Sequence, residues 1–146
     1  MLMVPDLIDG DLMLRLKEIL PELPDNKQVL TYKFLMISIE KQVMGGINLR
    51  IGSTDDLVFY RGHVGFTVLP EFQGKHYEAR SLKLVLPVAG QLGINPVWIT
   101  CNPDNIASRR TCQFAGAEFI DIVRLPPKHY LYKRGEREKC RYRIST

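Results

Sequence analysis

The chain has 146 residues, of which 45% are hydrophobic and 25% are charged, and this composition suits one globular domain spanning residues 1–146. Its formal net charge of +4 is compatible with an anionic ligand such as a nucleotide or coenzyme, but it lacks the dense basic patch of a nucleic-acid-binding protein. No apolar run approaches the roughly 20 residues that span a bilayer, and residues 1–11 do not resemble a signal peptide, so we expect a cytoplasmic protein without a membrane partner.

The first patterned segment of the chain is compatible with two structures. Residues 11–17 alternate apolar with polar side chains, which favours a strand. A helix is the alternative, because Leu16, Ile19 and Leu20 also fit a helical stripe. Turn-forming residues then predict a loop at Pro21, Pro24, Asp25 and Asn26.

Three further strands are predicted before residue 70. Residues 32–39 and 43–51 form a predicted hairpin, because the polar turn 40–42 separates two apolar runs. Gly45 and Gly46 inside its second strand indicate a bulge or a close backbone contact. A loop is predicted at residues 52–56, and the next strand at residues 63–69.

The second half of the chain alternates helices with strands. Residues 77–92 have helical periodicity, and Pro87 must bend or shorten this helix before Gly93. Residues 97–101 predict a strand, and residues 106–114 predict a helix that ends at Gly116. Strands at 119–123 and 139–144 flank a predicted loop at 126–135. This order of elements predicts an α/β fold with a mixed sheet.

The C-terminal cations and the cysteines suggest structural roles. The cations of the tail alternate with Glu136 and Glu138, which indicates mainly a solvent-exposed strand face; they are Lys128, Lys133, Arg134, Arg137, Lys139, Arg141 and Arg143. Cys101, Cys112 and Cys140 are odd in number and have no CxxC spacing. We therefore expect neither a disulfide framework nor a bound metal.

The segment from residue 65 to residue 79, GFTVLPEFQGKHYEA, is the first candidate site. A strand that enters a helix through a glycine-containing turn leaves backbone N–H groups unpaired at the positive end of the helix dipole. Such a turn can bind pyrophosphate, or it can be an ordinary strand-to-helix connection. It has neither the GK[ST] ending of a Walker loop nor the GxGxxG dinucleotide motif.

The segment CNPDNIASRRTCQFAG is the second candidate site. Asn105 and Ser108 stand one turn apart at a helix start, where they could hydrogen-bond an extended ligand that contains amides. Helix capping by residues 102–105 is the alternative. Arg109 and Arg110 could reach a phosphate or lie on an exposed helix face.

Together, VLPEFQGKHY and, about 30 residues later, NPDNIASRRTCQFAGA resemble the two signature blocks of the GNAT superfamily of N-acetyltransferases. The first block resembles the acetyl-CoA turn, and the second resembles the asparagine-containing helix that ends in glycine. The resemblance spans roughly residues 31–144. It implies a mixed, mostly antiparallel twisted sheet flanked by helices, with two splayed central strands.

The resemblance also implies a set of coenzyme contacts. Backbone groups of Val68 and Leu69 would contact the pantetheine arm of acetyl-CoA, and Asn105 and Ser108 would lie on its other side. The pyrophosphate would be held by the amides of Gln73, Gly74, Lys75, His76, Tyr77 and Glu78. His76 and Glu78 depart from the usual motif, which has Gly and then Gly or Ala at these positions.

Two residues are candidates for proton transfer. His63, at the start of the strand before the turn, is a candidate base, because an imidazole with a pKa near ~6.5 can take a proton from an ammonium group. Cys112 stands seven residues after Asn105, where many family members have a tyrosine acid, and is a candidate acid. The alternatives are a histidine without a chemical role and a small buried cysteine. Aromatic residues that could line an acceptor pocket are Tyr60, His129, Tyr130 and Tyr132.

We therefore expect an acetyl-CoA-dependent N-acetyltransferase, an acyltransferase that moves an acetyl group to a primary amine by direct attack while both substrates are bound. The alternative is a non-catalytic module of the same fold that binds acyl-CoA or a protein partner. The residues do not identify the amine. The apolar strands are compatible with a homodimer.

Overall fold

Eight strands form two antiparallel sheets in the computed structural model, which describes residues 3–24 and 28–146. The first sheet contains, in spatial order, β1 (Leu7–Asp9), β2 (Leu12–Leu20), β3 (Thr31–Ser38), β4 (Val43–Arg50) and β5 (Val64–Val68). The second has the order β6-β8-β7, with β6 (Val97–Cys101), β7 (Glu118–Arg124) and β8 (Glu138–Ile144). The helices are α1 (Tyr77–Gln91), α2 (Ile106–Ala115) and α3 (Tyr130–Lys133), with a π-helix (Asp56–Arg61) before β5 and a 3₁₀ turn (Pro70–Phe72) after it. Within the described ranges, no helix is long and apolar enough to cross a membrane.

The N-terminal segment is a strand, as the alternation predicts, and the helical alternative is wrong. Leu12 and Leu14 are fully buried, whereas Arg15 is exposed, which is the period-two pattern of a half-buried strand. β2 ends at Leu20, immediately before the predicted loop. Asp25 and Asn26 lie outside the described residues.

The predicted hairpin is confirmed as β3 and β4, and the bulge and the close backbone contact predicted at Gly45 and Gly46 are both present. Met36 pairs with Gly45 and Ile37 pairs with Val43, so a bulge occurs next to the glycine pair. A Cβ atom at Gly45 would lie 2.9 Å from Val68 Cα. The absence of a side chain there therefore lets β4 and β5 approach closely.

Helix α1 packs against the first sheet through an apolar face that includes Leu82, Val85 and Ala89. Of the two predicted effects of Pro87, a bend or an early end of the helix, the early end does not occur, because the helix continues to Gln91. Pro87 is exposed, as is Lys83 one turn earlier, so the carbonyl group that loses its helical donor can be hydrated.

Two predictions for the C-terminal segment need correction. The predicted loop at 126–135 contains helix α3. Lys139 and Arg141 are buried, whereas the other five cations of the tail are exposed as predicted. The Arg141 guanidinium lies between the rings of Phe59 and Trp98, at 4.5 Å from each centroid, and its Nε is 2.7 Å from an oxygen of Asp121. These contacts offset the cost of removing the charge from water.

The two sheets meet at β5 and β6, which separate from each other. The backbone N–H of His63 donates to the Trp98 carbonyl over 2.7 Å just before β5 begins. Beyond this contact β5 pairs only with β4 and β6 only with β8, as far as the described residues show. The predicted α/β fold with splayed central strands is confirmed.

Candidate functional site

A cavity of about 680 Å³ occupies the space between β5 and β6. Both strands, the start of α2, the π-helix and α3 contribute to its wall. The polar side chains of its lining include Arg50, Asp56, Arg61, Asn102, Asn105 and Arg134. The cavity wall therefore contains more cationic than anionic side chains.

Alternate residues of β5 present their peptide groups to this cavity. At the two ends of β5, the Leu69 N–H donates to the Met44 carbonyl over 2.8 Å, and the His63 carbonyl accepts from the Arg50 N–H over 2.6 Å. The odd-numbered residues along β5 therefore hydrogen-bond to β4. By the alternation of an antiparallel ladder, the N–H groups of Phe66 and Val68 point to the opposite side. The Val68 carbonyl accepts from the Gln73 side chain over 3.0 Å, which leaves the Val68 N–H for a ligand.

Leu69 and Gln73 are not retained as coenzyme contacts, because their backbone groups are already engaged. The Leu69 N–H donates to Met44, and its carbonyl accepts from Phe72 over 2.9 Å. The Gln73 N–H donates to the Pro70 carbonyl over 3.3 Å. The free amides of the turn therefore begin one residue later than the sequence motif implies.

The turn before α1 presents a row of unpaired amides. Among the described residues, no acceptor is found for the N–H groups of the five residues Gly74, Lys75, His76, Tyr77 and Glu78, and no side chain caps the helix. Gly74 and His76 have left-handed backbone angles, with φ of 80° and 63°. Alternating handedness turns successive N–H groups toward one side, which forms an anion-binding concavity. We name this segment, residues 74–78, the amide cradle.

A left-handed conformation is uncommon for a residue with a side chain, and His76 has a specific stabilising contact. Its imidazole stacks on the Phe114 ring of α2, with ring centroids 3.8 Å apart and planes inclined by 6°. This stacking fixes the turn against α2. It gives a structural reason for a histidine where the family motif has glycine.

Hydrogen bonds to Asp9 and Asp11, at the turn between β1 and β2, hold the first residues of α1 in place. The Tyr77 hydroxyl donates to Asp11 over 2.9 Å, and Arg80 donates to Asp9 and Asp11, each over 2.8 Å. The hydrogen bonds from Arg80 and Tyr77 lower the pKa of the Asp11 carboxyl group. Sequence reasoning missed this network, because its partners are about seventy residues apart along the chain.

The start of α2 contributes one capping residue and one unsatisfied acceptor. The Asn105 side-chain oxygen accepts from the Ser108 N–H over 3.1 Å, so the predicted capping role is confirmed, and both residues also line the cavity. Asn102 Oδ1 is buried without a hydrogen-bond partner among the described residues, and Asn102 also lines the cavity. Because an orphaned buried acceptor costs free energy, this atom suits an N–H group of a ligand.

His63 is buried, with 3% of its surface exposed, and both of its ring nitrogens are engaged. Nδ1 accepts from the Trp98 N–H over 2.9 Å, so Nε2 carries the proton and donates to the Gly52 carbonyl over 2.9 Å. Burial lowers the pKa of the imidazole. An imidazole without a free lone pair cannot accept a proton in this arrangement, and we do not retain His63 as a base.

Cys112 lies in the core and does not line the cavity. Burial raises the pKa of its thiol to about 12. Cys101 does line the cavity, and burial raises the pKa of its thiol to about 11. We therefore do not retain Cys112 as an acid, and we assign it the packing role.

Two of the four aromatic candidates reach the cavity, namely Tyr60 and Tyr130. His129 lies behind the wall: its Nε2 donates to Asp56 over 2.6 Å, and its Nδ1 accepts from the Leu131 N–H over 3.1 Å. Tyr132 instead lies under Arg137, 3.8 Å from its guanidinium carbon. Arg109 bonds to the Tyr142 hydroxyl over 3.0 Å, and Arg110 is exposed; among the described residues neither has a hydrogen bond or ion pair with the amide cradle.

Comparison with known proteins agrees with this geometry. A family model described as the acetyltransferase (GNAT) domain matches residues 14–118. No curated protein sequence gives a significant match. Solved structures with the same fold are numerous.

Three of these structures illustrate the likeness. The microcin C7 self-immunity acetyltransferase MccE, solved with acetyl-CoA and AMP, has a TM-score of 0.61 and 16% identity over 80% of this chain and 61% of its own. The Salmonella typhimurium acetyltransferase that modifies the N-terminal serine of 50S ribosomal subunit protein L7/L12 has a TM-score of 0.62 and 18% identity, over 80% and 64%. A GNAT-family acetyltransferase from Bacillus anthracis has a TM-score of 0.58 and 20% identity, over 77% and 65%. This chain therefore spans less than two thirds of the length of each, and the likeness shows the fold.

Proposed function

Because the chain belongs to the GNAT acetyltransferase family, we propose that it transfers the acetyl group of acetyl-CoA to a primary amine, as one domain spanning residues 1–146. One observation carries the proposal: the amide cradle directly follows a strand that is splayed from its neighbour. This combination would supply a phosphate site and, a few residues earlier in the chain, an extended slot with free peptide groups. That MccE was solved with acetyl-CoA supports the choice of coenzyme.

The described residues fit the parts of such a coenzyme. The N–H groups of residues 74–78 would bind the pyrophosphate at the positive end of α1. The arm would lie between β5 and β6, where the Val68 N–H and the unpartnered Asn102 Oδ1 offer one donor and one acceptor to its amides. Asn105 and Ser108 would form the wall on the α2 side.

The chemistry requires a free amine, a thioester and a site for developing negative charge. In the transfer, the amine nitrogen forms a bond to the acetyl carbon while the carbon–sulfur bond breaks, and the thiolate takes up a proton. The N–H groups of Phe66 and Val68 point toward the gap and can stabilise the oxyanion there. With His63 and Cys112 engaged elsewhere, proton transfer is left to the solvent and to the polar residues of the cavity wall.

Calorimetry with acetyl-CoA and a thiol-release assay over a panel of amines test the function. We expect binding and amine-dependent release of coenzyme A. Binding without turnover on any amine would instead support the alternative, a non-catalytic acyl-CoA-binding module. Absence of both would exclude the coenzyme altogether.

The amide cradle can be tested separately through its one carboxylate. Glu78 lies in the first turn of α1, where its negative charge competes with phosphate for the same N–H groups. We expect Glu78→Gln to lower the Kd for coenzyme A by about 2- to 5-fold, the range of one helix-dipole interaction. The matched control is Glu40→Gln in the exposed hairpin turn, which should leave the Kd unchanged. Equal effects of both variants would place the pyrophosphate elsewhere.

A further inference from the structure

Three arginines of the cavity wall have no anionic partner. They are Arg50 at the end of β4, Arg61 at the end of the π-helix, and Arg134 directly after α3. Among the described residues, none of them has a carboxylate within ion-pair distance. Lys139, the fourth cation of the wall, is already paired with Glu136. The wall therefore holds unneutralised positive charge.

Arg50 is held in place without being neutralised. Its Nη1 donates to the carbonyl groups of Arg61 and Gly62 over 3.3 and 3.2 Å. Its guanidinium lies across Gly65 of β5, where a Cβ atom would be 2.8 Å from Nη2. Burial and the nearby charge of Arg61 lower the pKa of Arg50, and the charge of Asp56 opposes this shift only in part, although an arginine remains protonated in proteins. A half-buried charge that faces a second charge of the same sign is unfavourable unless an anion joins them.

One carboxylate lines the same cavity as these cations. Asp56 is the single acidic side chain in the wall as far as the structure describes it. Its Oδ1 accepts from His129, while its Oδ2 has no hydrogen bond or ion pair with a described residue. The site thus offers a positive subsite and a negative subsite in one pocket, with the rings of Tyr60 and Tyr130 in the same wall.

The arginines are separate from the amide cradle. Arg50 contacts Gly65 near the start of β5, whereas the amide cradle follows the end of this strand at Val68. At about 3.3 Å per residue, the strand alone separates these positions by about 10 Å. A coenzyme whose pyrophosphate lies on the amide cradle leaves the arginines to the second substrate.

We propose that the acetyl acceptor carries an oxyanion, a carboxylate or a phosphate, close to its amine, with Arg50 and Arg61 binding the oxyanion and Asp56 pairing with the ammonium group. Arg134, which is exposed and lies over the Tyr130 ring at 5.6 Å, contributes at the rim. The inference rests on the proposed function, because it assigns the substrate class of the same cavity. Guanidinium groups bind both oxyanions through paired hydrogen bonds, so the experiment must distinguish the two.

Two matched pairs of acceptors test the proposal. Alanine against alaninamide probes a carboxylate, and phosphoethanolamine against ethanolamine probes a phosphate. The kcat/KM ratio within each pair is measured for the wild type, for Arg61→Gln and for the control Arg124→Gln, which removes an exposed arginine of β7 outside the cavity. Comparing the ratios between proteins cancels the different intrinsic reactivities of the amines.

In the wild type we expect one pair to show preference for its anionic member, and the pair that does so identifies the oxyanion. Arg61→Gln should reduce that preference by about 10- to 100-fold, the range of one charge-assisted hydrogen bond, while Arg124→Gln preserves it. Arg134→Gln, at the exposed rim, should reduce it by only about 2- to 5-fold. Ratios that are the same in wild type and Arg61→Gln for both pairs would overturn the proposal.

Calorimetry with phosphoethanolamine and with alanine provides a readout that does not depend on turnover. Binding to the protein with and without saturating coenzyme A should be weakened by Arg61→Gln and not by Arg124→Gln. If coenzyme A neither binds nor is released while this Arg61-dependent binding persists, the proposed function fails and the anion subsite stands. If acetyl transfer proceeds and neither probe binds in an Arg61-dependent way, the proposed function stands and the anionic acceptor is refuted.

Discussion

The buried His63 provides the sharpest test of the site, because it separates a structural role from a chemical one. Its ring joins the Trp98 N–H of β6 to the Gly52 carbonyl of the loop before the π-helix. Replacement by leucine would leave both backbone groups without a partner, at about 1–3 kcal/mol each. Because Gly52 is only half-buried, we expect His63→Leu to lose about 2–4 kcal/mol of unfolding free energy. His63→Asn and His63→Gln, which can each replace one of the two bonds, should lose less.

The pH dependence of stability follows from the lowered pKa of His63. The unfolded chain binds a proton near pH 6.5, the ordinary value, while the folded protein does not until a lower pH is reached. The stabilisation is therefore complete above about pH 6.5 and declines below it by up to about 1.4 kcal/mol per pH unit. His63→Gln removes this decline, because glutamine does not titrate.

Urea unfolding of the wild type and His63→Gln between pH 5 and pH 8 measures the effect. The difference in unfolding free energy should narrow as the pH falls below about 6.5, and the other titrating groups cancel in this difference. A difference that is constant across the range would refute the buried neutral imidazole. Loss of the acid limb of the rate profile in His63→Gln, without a change in stability, would restore His63 as the base.

Three further outcomes are expected. Gly45→Ala should cost about 1–3 kcal/mol in thermal unfolding, because its Cβ would meet the backbone of β5 at Val68 Cα, 2.9 Å away. Gly90→Ala in α1 should be neutral or stabilising, because its Cβ would meet only the exposed side chain of Thr146, at 3.1 Å, which can move aside; equal losses would refute the close β4–β5 contact. Tyr77→Phe removes the bond to the half-exposed Asp11 and should raise the Kd for coenzyme A by about 2- to 10-fold in calorimetry, with Tyr132→Phe as an unaffected control. Cys112→Ala should keep kcat within about twofold while it lowers the melting temperature, because its thiol is buried in the core; a 100-fold loss of kcat would return it to the role of acid.

The position of the proposed coenzyme site is readable along the chain because its parts are local. Fifteen residues contain a strand of alternating polarity, a proline, a glycine-containing turn and the first residues of a helix. Backbone geometry alone leaves the N–H groups of this turn unpaired. Asn105 and Gly116 likewise mark the ends of α2 by local capping chemistry. The helical periodicity of α1 and the alternation of β2 place these elements without knowledge of their partners.

The acceptor side depends on contacts that no local pattern contains. The π-helix has no helical stripe in its sequence, and it brings Asp56 and Arg61 to the same cavity as Arg50 only because β4 and β5 are paired. The role of His63 depends on Trp98, thirty-five residues away, and the burial of Arg141 depends on rings from two other elements.

The sequence by itself determined the resemblance to the family, the order of the longer strands and of helices α1 and α2, and the turn of the amide cradle, since each follows from neighbouring residues and backbone sterics. Only the tertiary structure decided which titratable groups are free, because hydrogen bonding and burial are set by segments distant in the chain. Burial and hydrogen bonding exclude His63 and Cys112 as groups that transfer a proton, and the fold brings Arg50, Arg61 and Asp56 to the wall of one cavity.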